Sequence, residues 1–143
     1  TILRPTLLSL TKDNPMPELI PITGTGGAVS GSPYTPAVKV GNLLFISGQL
    51  GIDPTTKKPY DDFAAQVEGA INGVESLIVA AGGSLDNIVK CTCFLADINQ
   101  FAAFNEIYSR RFSGAVKPAR STFQVAALPL AGAVEIEAIA VLD

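Results

Sequence analysis

The stretch DDFAAQVEGAINGVESLIVAAGG, residues 61–83, is followed after four residues by IVKCTCFLA, residues 88–96. In the first segment Asp61 and Asp62 stand where an N-cap and a first-turn acid belong. Phe63, Val67, Ala70, Ile71, Val74, Leu77, Ile78 and Ala81 then recur at three- and four-residue spacing until Gly82-Gly83 ends the pattern. That spacing predicts a long amphipathic helix. The second segment is apolar and rich in β-branched residues, which predicts a strand buried on both faces. A helix that must cover a sheet, feeding directly into a central strand of it, sets the fold class as α+β.

Upstream, Ala37 to Val40, the turn pair Gly41-Asn42 and Leu43 to Ser47 predict a hairpin of two strands. Downstream, Phe101, Phe104, Ile107, Tyr108 and Phe112 mark one face of a second helix, capped by Asp97 or Asn99. Two last strands are expected over Ser121 to Leu128 and Val134 to Leu142. The order β-β-α-β-α-β-β suggests a single mixed sheet with both helices on one face. Its other face carries Val and Ile where a solvated face would alternate with polar residues, so further copies of the chain are expected to cover it. If the loop from Pro129 to Ala133 closes a direct antiparallel hairpin, Glu135 lies opposite a residue near Ala127 and Arg120 near Leu142. The two would then be roughly 23 Å apart along the sheet, too far to share one ligand within a chain.

At 143 residues the chain is one domain in length. Residues 1–30, with Pro5, Pro15, Pro17 and Pro21 followed by Gly24, Gly26 and Gly27, read as an extended arm, its leucines packing on the body or on a neighbour. Residues 31–143 form the domain proper. The Gly24-Thr25-Gly26-Gly27 run lacks the preceding strand, following helix and Lys of a phosphate loop, and reads as a turn. Charged residues make up 16% of the chain, against about 25% in an average domain, which again points to a homo-oligomer. A net charge of −3 disfavours broad polyanion binding. No apolar run approaches the length of a bilayer span, and no signal peptide is visible at the start, so the expected place is the cytoplasm, with the mitochondrion as the alternative.

Histidine is absent, which removes Ser-His-Asp and Cys-His catalysis and His-ligated zinc. Cys91 and Cys93 are the only cysteines. On a strand their Cα atoms stand about 6.6 Å apart, near the limit for a disulfide, and a lone CxC pair is no zinc site. They read as buried thiols of a reducing compartment. No metal and no cofactor is expected.

The informative segment for chemistry is Pro118-Ala119-Arg120-Ser121-Thr122, with Val134-Glu135-Ile136-Glu137-Ala138 after it. A lone Arg at the mouth of a strand offers a planar fork to a carboxylate, or else pairs with a structural acid. Glu135 and Glu137 share a strand face with Ile139 and Val141, so at least one is expected to be partly buried, with a raised pKa or a partner. These segments, with Leu128-Pro129, Pro33-Tyr34, Ile46-Ser47-Gly48-Gln49, Ala80-Ala81-Gly82 and Phe101 to Tyr108, resemble the RidA/YjgF family of 2-iminobutanoate/2-iminopropanoate deaminases, also labelled L-PSP endoribonucleases. The resemblance runs from about residue 31 to the C-terminus. It implies a chorismate-mutase-like fold and a homotrimer around a central barrel, with sites between subunits. It implies hydrolysis of 2-imino acids to 2-oxo acids and ammonia. By motif position, Arg120 would clamp the carboxylate and Glu135 would activate water. Ser47 and Gly48 would border the imine, Tyr34 and Asn105 would line the pocket, and Thr122 stands where many members carry Cys. RNA cleavage and a non-catalytic trimer that binds small carboxylates or proteins are the alternatives.

Overall fold

The computed structural model describes residues 15–24 and 31–143. Its strands are β1 (Leu19–Ile22), β2 (Ala37–Val40), β3 (Leu43–Leu50), β4 (Ile88–Leu95), β5 (Ala119–Gln124) and β6 (Val134–Val141), and its helices are α1 (Phe63–Ala80) and α2 (Phe101–Arg111). Short 3-10 turns precede β4, α2 and β6. The expected hairpin forms, with Val40 opposite Leu43 across Gly41-Asn42, and β3 runs on to Leu50. Asp62 caps α1 by accepting a hydrogen bond from the Ala65 amide at 3.0 Å. Asp97 caps the 3-10 turn that leads into α2 rather than α2 itself, whose own N-cap, Gln100, makes no side-chain cap bond.

The six strands lie in one mixed sheet in the order β1-β2-β3-β6-β4-β5. The final pair is not the expected hairpin. β5 runs parallel to β4 at the edge of the sheet, with Arg120 beside Cys91 and Thr122 beside Cys93. β6 instead enters between β3 and β4, antiparallel to both. β5 ends at Gln124, short of the expected Leu128. The chain then crosses the end of β4, where the Val125 amide bonds Leu95 O and the Ala96 amide bonds Ala133 O. In this crossing Leu130 and Ala131 both take φ of 57°, a left-handed conformation that turns the chain away from β5. The 3.6-residue elements on either side of β4 explain the outcome, because a strand, a helix and a second strand make the crossover that parallel pairing needs.

Both helices pack on one face. Leu44, Ile46, Cys91, Cys93, Leu95, Val134, Ile136, Ala138 and Ala140 are buried beneath them with Val67, Ile71, Val74, Ile78 and Phe104 in a single core. Among the described residues no helix covers the other face. Phe45 is 44% exposed, and Val38, Thr92, Phe94 and Ile139 stay only part-buried. The expectation that β4 is buried on both sides therefore holds for one side of the single chain.

The Pro-rich arm contains a strand that the prolines concealed, since β1 pairs antiparallel with β2 and places Pro21 opposite Val38 at the sheet edge. Of the Gly24-Thr25-Gly26-Gly27 run only Gly24 is described, with φ of 60°, and the rest of the run and most of the arm lie outside the described residues. Gln66, the buried polar residue of the core, is fully bonded. Its Nε2 donates to Tyr60 O at 2.7 Å and its Oε1 accepts from the Ala133 amide at 2.8 Å, which pins α1 to the start of β6.

Close packing of α1 rests on Gly51, just past β3, whose missing side chain leaves room for the Gln66 backbone and for Gly69. A methyl group there meets helix backbone rather than a side chain that could swing away. Gly51→Ala is therefore expected to cost about 2 kcal/mol or more and to lower Tm in a thermal melt. An unchanged Tm would show that α1 can lift without loss.

Candidate functional site

Arg120 and Thr122, level with the buried Cys91 and Cys93, point to the helix side of the sheet. The Arg120 guanidinium carbon lies 4.6 Å from the ring centroid of Tyr108, 5.6 Å from that of Phe104 and 5.7 Å from that of Phe101. These rings recur every three to four residues along one stripe of α2. Among the described residues no carboxylate comes within ion-pairing distance of Arg120. Three acids of the two helices are engaged with other arginines: Glu106 with Arg110 at 3.6 Å, and Glu68 and Glu75 with Arg111. The structural salt bridge that the sequence left open is thus absent there.

Asn105 Oδ1 is buried without a hydrogen-bond partner, and the buried Tyr108 and Thr122 hydroxyls find none beyond the thiols of Cys91 and Cys93. All three belong to β5, which carries Arg120, or to α2, which lies against it. Beside them the thiols of Cys91 and Cys93 are free and buried. Burial pushes Cys93 up to about 12, the neighbouring Cys91 adds to this, and the Arg120 charge partly opposes it. Cys91 is raised for the same first reason. Both therefore stay as thiols at neutral pH and are poor nucleophiles.

Glu135 projects to the open face, opposite in sense to the buried Val134 and Ile136 of its strand. Its carboxylate lies against Gly48, where the register of β3 on β6 shifts between Ile46 and Gln49, so that any larger residue at 48 would occupy the carboxylate's place. The Ser47 hydroxyl donates to Thr35 O at 2.7 Å, and Gln49 Nε2 donates to Ser47 O at 2.9 Å, which ties the irregular stretch in place. Burial holds the Glu135 carboxyl above the usual 4.5, and the charge of Glu137 on the same face raises it further. Of the two glutamates, Glu135 is the partly buried one and Glu137 is exposed.

The seven site residues fall into separate places. Arg120, Asn105 and Thr122 gather on the helix side at the β4–β5 edge. Ser47, Gly48 and Glu135 gather on the open side between β3 and β6. Tyr34 precedes β2 and is 58% exposed. Arg120 and Glu135 are therefore kept apart by the sheet itself, and not by distance along a hairpin. What the sequence did not disclose is the support under Arg120: Phe101, Phe104 and Tyr108 read as an ordinary apolar helix face, with no signal that a cation rests on it.

Residues 27–142 match the family model described as Endoribonuclease L-PSP. The chain is 42% identical over 122 residues to Protein HMF1 of Saccharomyces cerevisiae, covering 85% of this chain and 94% of the relative. It is 44% identical over 110 residues to the 2-iminobutanoate/2-iminopropanoate deaminase of Capra hircus, covering 76% and 80%. The structure resembles that of E. coli TdcF with bound serine, with a TM-score of 0.76 and 40% identity over 82% of this chain and 92% of that one.

The raised carboxyl of Glu135 has a definite sign for stability. A folded value above the unfolded one means that its contribution is present below about 4.5 and is lost as pH rises through the folded value. Glu137→Gln removes the second cause and leaves burial. In an NMR titration the Glu135 midpoint should fall but stay above 4.5, and the loss of Tm with rising pH should shrink. A midpoint that does not move would show that Glu137 exerts no influence on it.

Proposed function

We propose, from the premise that the chain belongs to the Endoribonuclease L-PSP family, that it hydrolyses 2-imino acids to 2-oxo acids and ammonia in clefts between copies of itself. The observation that carries this reading is a guanidinium seated on aromatic rings with no acid to neutralise it. It stands on one face of the sheet, while a carboxylate of raised pKa stands on the other. A relative that is a 2-iminobutanoate/2-iminopropanoate deaminase and a structural neighbour that holds serine support a small carboxylate-bearing substrate.

Arg120 grips the substrate carboxylate through two parallel N–H bonds. The protonated imine carbon is already electrophilic, so catalysis needs a positioned water more than a protein nucleophile. Glu135 of a neighbouring copy accepts a proton from that water as its oxygen bonds the imine carbon. The same carboxyl returns the proton to nitrogen and then takes the hydroxyl proton as the C–N bond breaks, so that C=O forms and ammonia leaves, and the carboxyl gives up that last proton to ammonia or solvent. Burial raises this carboxyl, which makes it a stronger base toward water than a solvated carboxylate. Ser47 and the backbone at Gly48 border the imine end, Tyr34 and Asn105 line the cleft, and Thr122 needs no thiol for this chemistry. No cofactor enters the scheme.

The assembly is a homotrimer with the open sheet faces turned inward as a central barrel, since Phe45, Ile139 and Val141 then leave water at roughly 25 cal/mol per Å². The free thiols of Cys91 and Cys93 suit a reducing compartment such as the cytoplasm. No helix among the described residues is long and apolar enough to cross a membrane. RNA cleavage, the other activity the family name carries, finds no free basic cluster in the segment Arg110 to Arg120. Arg110 and Arg111 are paired with acids, Lys117 donates to Phe112 O at 2.8 Å, and Arg120 is seated on its rings.

Arg120→Ala and Glu135→Ala chains should each be inactive on enzymatically generated iminopropanoate. Refolded together they should regain part of the activity, because some mixed trimers contain one intact cleft. No recovery despite mixing proven by mass spectrometry would overturn the shared site, and an inactive wild type would overturn the imine reading itself.

Thr122→Val removes a hydroxyl that finds no partner beyond the weakly bonding Cys93 thiol. It should keep the fold and kcat within about threefold, with Tm equal or higher. A hundredfold loss with the trimer intact would assign that hydroxyl to a catalytic water.

A further inference from the structure

We infer that Tyr108 is a positioning residue for Arg120, whose ring, not its hydroxyl, sets the plane and depth of the guanidinium that receives the substrate carboxylate. The inference rests on the role proposed above for Arg120, and it concerns how that role is made possible. An arginine side chain carries many rotamers and is ordinarily held in place by an acid. Here, among the described residues, no acid does so and three rings stand in its place, of which Tyr108 is closest at 4.6 Å.

The Tyr108 ring is itself clamped. Phe112 stacks behind it at 4.4 Å and 27°, and Phe104 packs at 5.6 Å and 43°. The end of α2 is fastened to α1 because Arg111 binds both Glu68 and Glu75. A cation resting on this platform inherits its rigidity.

The choice of a ring over an acid has a chemical consequence. A carboxylate under Arg120 would occupy its N–H groups and cancel its charge, and so compete with the substrate. A ring face attracts the cation through its quadrupole and leaves the N–H fork free in the guanidinium plane. The hydroxyl stands apart from this role. Among the described residues its one hydrogen-bonding neighbour is the buried Cys91 thiol, and burial first and that contact second raise its pKa, so it remains neutral.

The test compares Tyr108→Phe, which keeps the ring, with Tyr108→Met, which keeps an unbranched apolar side chain without one. KM and kcat are read for iminopropanoate and Kd for 2-oxobutanoate, an unreactive carboxylate. The Met variant should raise KM and Kd about tenfold with kcat within about threefold, the pattern of lost anchoring, whereas a merely loosened fold would lower kcat at constant KM. The Phe variant should match the wild type within about twofold. Unchanged KM and Kd in the Met variant would overturn the inference, and so would a Phe variant as impaired as the Met one.

A further measurement needs no ligand and no activity. In the wild type the Arg120 Nε–H proton should resonate upfield of the other arginines, because it sits over a ring. An unshifted signal overturns the platform even if the Met variant fails to fold. An inactive wild type that binds no 2-oxobutanoate would instead count against the imine reading, while the Arg120 signal still decides the role of Tyr108.

Discussion

The insertion of β6 between β3 and β4 is the constraint on which the rest of the molecule depends. Each side of β6 is hydrogen-bonded to a neighbour, and Val134, Ile136, Ala138 and Ala140 are 0–4% exposed beneath the helices. With β6 in place, β3 and β4 run parallel with one strand between them, and α1 bridges over that strand. Because side chains alternate along a strand, the same four buried residues force Glu135 and Glu137 to the uncovered side. The catalytic carboxylate of the proposed reaction is therefore a by-product of how the core is closed.

Most elements were legible because each carries its own period. α1 shows a 3.6-residue stripe between an aspartate cap and a glycine stop, and β4 shows an apolar run of strand length. What failed was the pairing of the last two strands, which is a non-local property. Loop length made a hairpin between β5 and β6 the economical reading, but two left-handed residues, Leu130 and Ala131, redirect the chain, and neither residue type announces such a conformation. A signal for the true order was present in the strand-helix-strand succession of β4, α2 and β5, which favours parallel pairing. β1 was hidden for a different reason, since Pro17 and Pro21 read as breakers although an edge strand tolerates a proline whose nitrogen faces away from the ladder.

The site was legible in its charges and illegible in its setting. In a chain with few ionic residues, Arg120 and Glu135 stand out by type and by the motifs around them. The conclusion that they cannot meet within one chain survives the loss of the hairpin on which it was first based, because a sheet separates its two faces more strictly than a distance along it does. The aromatic seat of Arg120 escaped notice because Phe101, Phe104 and Tyr108 satisfy the pattern of a core-facing helix equally well. Only the position of β5 against that helix turns a core stripe into a cation platform.

The same region explains why the chain tolerates local imperfection. Asn105 Oδ1 is buried without a partner, where such a group costs about 1–3 kcal/mol, and the Tyr108 and Thr122 hydroxyls have only the weakly bonding thiols of Cys91 and Cys93. Gln66, the other buried polar side chain among the described residues, has a partner at each end, so the deficit gathers in β5, which carries Arg120, and in α2, which lies against it. Uncompensated polar groups in one corner of an otherwise consistent structure are where function displaces stability.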